Sequence, residues 1–305
     1  MKKVLALVLS LMLVMSTASA LAASKVILIT MDLMDQHWVH VDRGCQDAVA
    51  ELAAQGIEID YKWDAPTQGK DDTAQIECMN NAYADGAEVI LLASNGPNTQ
   101  VATIEQYSNE GVKFIYVDSP ANYPAEQTLA TNNTNAGQTA GEQLLAALTA
   151  EGITEGKIGI VNVNPATQST VDREAGFRKA FEGTAFEILE TQYGEGQVAL
   201  SQEIAAGYIT NGCVGIFGTN EGGTVGVGNA IKEAGGAVIG VGFDQSDAIK
   251  ELTLDGYLLC AMAQDPYKMG YEGMMSAAKV LAGEAIEEPL VDTGVQVMDA
   301  AALSN

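Results

Sequence analysis

Short β-branched apolar runs alternate with longer stretches of helix-spaced apolar residues along almost the whole chain. The runs predict strands at 26–31, 57–62, 88–93, 112–117, 128–131, 157–162, 186–192, 213–217, 237–241, 257–262 and 294–298. Between them, 39–55, 72–85, 98–109, 135–149, 169–182, 197–210, 222–234, 246–253 and 267–282 carry apolar residues at helical spacing. Several of these helices run into a glycine, as at Gly56, Gly86, Gly111, Gly235 and Gly283, which suits the left-handed position after a helix. Strand, crossover helix, strand is the order of a parallel sheet covered on both faces. The pattern restarts: Lys25 to Val117 holds four strand-helix steps, and Lys157 to Val241 holds four more of similar length. The expected architecture is α/β, with two doubly wound parallel-sheet, Rossmann-like lobes in tandem. Their strand C-termini would line one shared crevice, where such folds bind ligands. No Pro/Ser-rich linker separates the halves, so short crossing segments should join them.

The first residues change the picture. Lys2 and Lys3 lead into an uncharged run from Val4 to Met15, and small residues follow at Ala18, Ala20, Ala22 and Ala23. This is the grammar of a cleaved signal peptide over 1–23, and the run is short for a membrane span. No cysteine lies near the cleavage region, so a lipid anchor is not expected. Removing Lys2 and Lys3 with the leader leaves 13 of 15 basic residues against 40 acidic ones, a net charge of −27. Such a surface repels phosphate backbones and argues against nucleic-acid binding; solubility alone accounts for acidity of this kind. Cys45, Cys78, Cys213 and Cys260 lie at least 33 residues apart, without metal-ligand pairing, and read as buried free thiols rather than disulfides.

Enzyme signatures are absent: there is no G-x-S-x-G elbow, P-loop or HExxH. The glycine-dense stretch from Gly222 to Gly228 lacks dinucleotide-binding spacing and reads as close helix-sheet packing. The loop from Asp32 to Asp42 is richer, holding both histidines, one of two tryptophans and three carboxylates. His37 and His40 with Asp32 or Asp35 would make a metal reading. A second reading lays His37 and Trp38 against a ligand, with Asp35 accepting its hydroxyl protons. In a third, Trp38 simply staples its helix to the sheet. Asp118, Asn220 and Asp244 each follow an apolar strand. Each alone could be a helix N-cap, yet together they recur at strand ends facing one cleft, and such groups suit the vicinal hydroxyls of a sugar.

The leader, the tandem halves, the loop from Asp32 to Trp38, YVDSPANY (116–123), REAGF (173–177), FGTNEGG (217–223), VGFDQSD (241–247) and AMAQDPYKMG (261–270) together resemble the ribose-type, cluster I periplasmic sugar-binding proteins of ABC importers. The resemblance covers the mature chain. It implies the type I periplasmic binding protein fold, with an N-terminal lobe of 24–131 plus 265–292 and a C-terminal lobe of 132–264 plus 293–305. A three-segment hinge would cross at Thr131-Asn132, Gln264-Asp265 and Asp292-Thr293. It further implies a monomer that is not an enzyme and needs no cofactor or metal, binding a monosaccharide or polyol and delivering it to a membrane permease. Asp35, His37, Trp38, Asp118, Asn220, Asp244 and Gln264 stand at the family's sugar-contacting positions, and Tyr193 lies near a further aromatic one. Two departures stand out: Ser119 and Val171 occupy positions where ribose binders carry arginine, and Arg173 is expected in an ion pair within its own lobe. The loss of both guanidinium groups, with His37 and Trp38 gained, argues against ribose itself as the ligand. Alternatives of other classes are a receptor feeding a chemotaxis or histidine-kinase sensor and an exported metal-binding protein. Sugar-responsive repressors share such lobes but carry a helix-turn-helix where this chain has its leader.

Overall fold

The computed structural model describes residues 23–67 and 69–304, so the leader expectation lies outside the described residues. The first sheet is built from β1 (Ser24–Ile29), β2 (Ile59–Asp64), β3 (Val89–Leu92), β4 (Lys113–Val117), β5 (Gln127–Ala130) and β12 (Leu290–Asp292), in the order β12-β5-β4-β3-β1-β2. All its pairings are parallel. The second holds β6 (Glu155–Asn162), β7 (Ala185–Ile188), β9 (Cys213–Gly218), β10 (Ile239–Phe243), β11 (Cys260–Gln264) and β13 (Val295–Asp299), ordered β13-β11-β10-β9-β6-β7, with β8 (Gln192–Tyr193) pairing β6 beyond β7. Only β13 runs antiparallel, against β11. Two α/β lobes of mainly parallel sheet are thus present. The strand β12 had no counterpart in the sequence pattern, because it is three residues long and its Leu290 is 67% exposed.

Apolar residues on alternate strand positions feed opposite faces of each sheet. Val26 and Leu28 pack with α1 (Gln36–Ala54) and α9 (Pro266–Leu281), while Ile27 and Ile29 pack with α2 (Asp72–Ala84) and α3 (Val101–Asn109). In the second lobe one face packs α4 (Asn133–Ala150) and α5 (Gln168–Ala180), and the other packs α6 (Val198–Thr210), α7 (Glu221–Glu233) and α8 (Asp247–Leu254). The last element, α10 (Ala300–Leu303), follows β13. The chain therefore passes between lobes three times, from β5 to α4, from β11 to α9 and from β12 to β13. No helix among the described residues is long and apolar enough to cross a membrane. All four cysteines are buried and free, and burial pushes Cys78 and Cys213 up to about 11 and Cys260 to about 12, which makes them poor nucleophiles.

Two helix pairs set the geometry of the crevice. α1 crosses α9 where a Cβ at Gly270 would stand 1.9 Å from the Val41 carbonyl oxygen. α4 crosses α5 in the same manner, a Cβ at Gly137 falling 1.9 Å from the Arg173 carbonyl oxygen. Any side chain at these points would force the helices apart. Because α1 carries His37 and Trp38 and α5 carries Arg173, this packing also locates the residues lining the cleft.

Candidate functional site

The cleft is assembled from the C-terminal ends of β1, β4, β9, β10 and β11. Asp35, His37, Trp38, Asp118, Asn220, Asp244 and Gln264 all line one narrow cavity. The lobes also touch directly around it: Thr167 Oγ1 donates to the Asn95 carbonyl at 2.9 Å, and the Ser169 N–H donates to Ser119 Oγ at 3.4 Å.

His37 sits at the centre. Its Nε2 lies 3.4 Å from Asp118 Oδ1 in its own lobe, and its Nδ1 lies 3.4 Å from Asp244 Oδ1 across the cleft. Burial alone would lower the imidazole pKa, but the two carboxylates outweigh it and hold His37 up to about 10, so it is a cation at neutral pH. Burial likewise works against the Asp244 carboxylate, and the His37 charge overrides that and holds it down to about 2. Trp38 meets the His37 ring edge to face, with centroids 4.6 Å apart. At 3% exposure Trp38 also packs into the core of the first lobe, so stapling and lining are one role of one side chain.

Asp118 and Asp244 occupy left-handed backbone, with φ of 70° and 75°. Such strain in a non-glycine residue costs about 1–3 kcal/mol and clusters at functional sites. Asn220 caps α7, its Oδ1 accepting from the Gly223 N–H at 3.1 Å, while its Nδ2 stays buried and unpartnered in the cleft. The capping and cleft-lining readings of Asn220 are both met by one amide. Asp35 holds the N-cap position of α1 but caps nothing with its side chain. Its carboxylate instead accepts from Lys70 at 2.9 Å.

Three groups were not assigned to the cleft from the sequence. Lys70 reaches in from the loop after β2 to pair with Asp32 and Asp35; burial would lower its pKa, and the two carboxylates raise it. Its only signal was a lysine in a chain poor in bases. Glu221 follows Asn220 within the FGTNEGG run; burial, with Asp35 and Asp244 nearby, raises its pKa to about 7. Arg173 corrects the expectation directly. It lines the cavity, donates to Asn133 Oδ1, the Thr219 carbonyl and Gln264 Oε1 at 2.8, 2.9 and 2.8 Å, and lies 3.7 Å from Asp118 across the cleft. The start of α5 at Gln168 places Arg173 in its second turn, on the buried face. One guanidinium therefore remains in the cleft. Tyr193 does not join the cavity: it is 39% exposed on the short edge strand β8. His40, the second histidine of the metal reading, is also not among the cavity-lining residues. No group of three or more His, Cys, Asp or Glu among the described residues is arranged to hold a metal.

Two sheets whose strand ends converge on one buried, polar cleft define a two-lobed, ligand-enclosing receptor fold. The chain belongs to the periplasmic binding protein domain family, which it matches over residues 26–285. It is 23% identical to the ribose import binding protein RbsB of Haemophilus influenzae, over 94% of this chain and 96% of that protein. It is also 23% identical to a D-ribose/D-allose-binding protein of Pseudomonas aeruginosa, over 75% of each. Among solved structures, a carbohydrate transporter solute-binding protein from Agrobacterium radiobacter in complex with D-arabinose superposes with a TM-score of 0.86 at 27% identity, covering 94% of this chain and 97% of that one. An ABC transporter solute-binding protein from Agrobacterium vitis with bound D-fucose gives 0.85 at 25% identity, covering 92% and 97%. These relatives are binding proteins rather than enzymes.

Proposed function

We propose that this chain is a non-enzymatic receptor of an exported compartment, which encloses a neutral monosaccharide or related polyol between its lobes and hands it to the membrane permease of an ABC importer. One observation carries the reading. Trp38 Nε1 and Asn220 Nδ2 are buried without hydrogen-bond partners, His37 Nε2 and Asp118 Oδ1 make no hydrogen bond beyond their ion-pair approach at 3.4 Å, and all four belong to residues lining the one cavity. Buried polar groups are rarely left unpaired, so donors and an acceptor gathered in this way fit a ligand rich in hydroxyls. The charges support neutrality: His37, Lys70 and Arg173 each already face carboxylates, which leaves no free cation for an acidic ligand among the described residues lining the cavity. Trp38 and His37 would cover the sugar, Asp118 and Asp244 would accept from its hydroxyls, and Gln264 would couple the hinge to the site. The segments 24–131 plus 265–292 and 132–264 plus 293–305 would turn as rigid bodies about the three crossings. The charged start, apolar run and small residues before Ala23 support export.

A thermal-shift panel of D-arabinose, D-fucose, D-ribose, D-allose, D-tagatose, D-xylose and myo-inositol tests the reading. A sugar at 100 times its dissociation constant should stabilise the protein by about 2.7 kcal/mol. A flat response to every sugar and polyol would remove the proposal.

A further inference from the structure

The rim of the cleft carries hydrogen bonds that belong to neither the cavity nor the hinge. α1 begins without a cap of its own, because the Asp35 carboxylate is drawn to Lys70. Its first amides are taken by the opposite lobe: the N–H groups of Gln36 and His37 donate to the two carboxylate oxygens of Glu221 at 3.0 and 3.1 Å. The favour is returned. The N–H of Asp247, the first residue of α8 in the second lobe, donates to Gln36 Oε1 at 3.2 Å. Both hydrogen bonds of the Glu221 side chain lead out of its own lobe.

We infer that Glu221 caps α1 across the cleft and that Gln36 takes a further first-turn amide of α8 beside that helix's own Ser246 cap, so that closure of the lobes completes the N-termini of α1 and α8. Glu221 is thereby a positioning residue for His37 and Trp38. The unpaired amides of a first helical turn are an acceptor's natural partner, and a carboxylate there also faces the positive end of the helix. In an open cleft these amides turn to water, so the caps contribute to the closed form alone. His37 is the second residue of α1, and its backbone is held by Glu221 at the point where its ring lies between Asp118 and Asp244. Glu221 faces the carboxylates of Asp35 and Asp244 and is largely buried, a costly place for a charge that serves no contact within its own lobe.

The inference rests on the sugar-binding reading only in taking closure over a sugar as the event being capped. Stopped-flow tryptophan fluorescence with whichever of D-arabinose, D-fucose, D-ribose and D-tagatose binds the wild type gives association and dissociation rates. Glu221→Ala should dissociate about tenfold faster with an unchanged association rate, and Gln36→Ala about threefold faster. Glu221→Gln, which keeps one oxygen able to accept, should fall between wild type and alanine. The melting temperature of the sugar-free protein should not move. A dissociation rate within twofold of wild type in Glu221→Ala overturns the inference. So does a lower melting temperature with a slower association rate, which would mark Glu221 as ordinary support for its own lobe. Binding of none of these sugars would count against the proposed function instead. Small-angle scattering of the sugar-free protein would then decide: a compact form lost in Glu221→Ala upholds the caps, and identical profiles overturn them.

Discussion

Asp118 and Asp244 stand at equivalent places in the two lobes and yet live in different surroundings. Each follows a central strand, each adopts left-handed backbone, and each donates its N–H to the neighbouring strand, to Leu129 in one lobe and Met262 in the other. Around Asp244 the second lobe is already organised: Gln264 Nε2 donates to it at 2.7 Å, and Arg173 holds Gln264 from behind. Asp118 Oδ1 makes no hydrogen bond, only looser ion-pair approaches from His37 at 3.4 Å and Arg173 at 3.7 Å. The duplicated fold supplies two strained aspartates pointing into one crevice, but the chemistry around them is not duplicated. The second lobe offers a prebuilt polar wall, and the first offers unsatisfied groups and an aromatic face.

Trp38→Ala should disturb this balance most. Its indole belongs to the core of the first lobe as well as to the cleft. The substitution should destabilise the protein by about 3–5 kcal/mol and abolish measurable sugar binding, read by denaturant unfolding and calorimetry. Unaltered stability would show that the ring serves the cleft alone.

The aspartates themselves sharpen the contrast. Asp244→Ala strips its partner from both His37 and Gln264, and breaking such a buried pair costs about 3–5 kcal/mol. Part of that loss should appear as a lower melting temperature of the sugar-free protein. Asp118→Ala should cost about 2–3 kcal/mol of sugar affinity, tens-fold or more in the dissociation constant. Because it removes the partner of His37 in its own lobe, it should also lower the melting temperature, by less than Asp244→Ala, which strips Gln264 as well. Equal effects of the two substitutions on stability would contradict the asymmetry drawn above.

The pH dependence follows from the same groups. Against burial, His37 is raised from 6.5 to about 10 by Asp118 in its own lobe and Asp244 across the cleft; the Asp244 part favours closure while His37 is protonated and is lost as pH rises through 10. Glu221, raised from 4.5 to about 7, favours closure below 4.5 and ceases to do so as pH rises through 7. Asp244 acts in the opposite sense, its contribution disappearing only as pH falls through about 2. Sugar affinity should therefore decline between pH 6 and 9, and Glu221→Gln should flatten the part below 7. Titration calorimetry across this range checks the sign; affinity rising with pH would refute it. At the small end, Tyr193→Ala should change sugar affinity less than twofold, because the ring stands outside the cavity.

Most of the architecture could be read along the chain. Runs such as Val26 to Ile29 are buried on both faces, and only a parallel strand between two helix layers uses four consecutive apolar residues that way. The strand-end residues Asp118, Asn220 and Asp244 were legible for a related reason: a polar side chain immediately beyond a buried strand must emerge at the sheet edge. Arg173 was harder. Two residues of uncertainty in a helix start rotate a side chain by just over half a turn, enough to exchange the cleft for the lobe interior. Lys70 and Glu221 were harder still, since nothing local to Lys70 announces a partner in the loop before α1, and nothing local to Glu221 announces one in that helix's first turn.

The sequence by itself determined the two α/β lobes, the resemblance to sugar receptors and the set of polar strand ends, because all of these depend on periodicity and on short contiguous motifs. Tertiary structure alone decided that Arg173 turns into the cleft, that Tyr193 stays out, that Lys70 neutralises Asp35, and that each lobe caps a helix of the other. Those outcomes depend on helix rotation and on charges brought together across tens to hundreds of residues. Coulomb and hydrogen-bond energies are set by distances of a few ångströms, and such distances exist only after the lobes have packed.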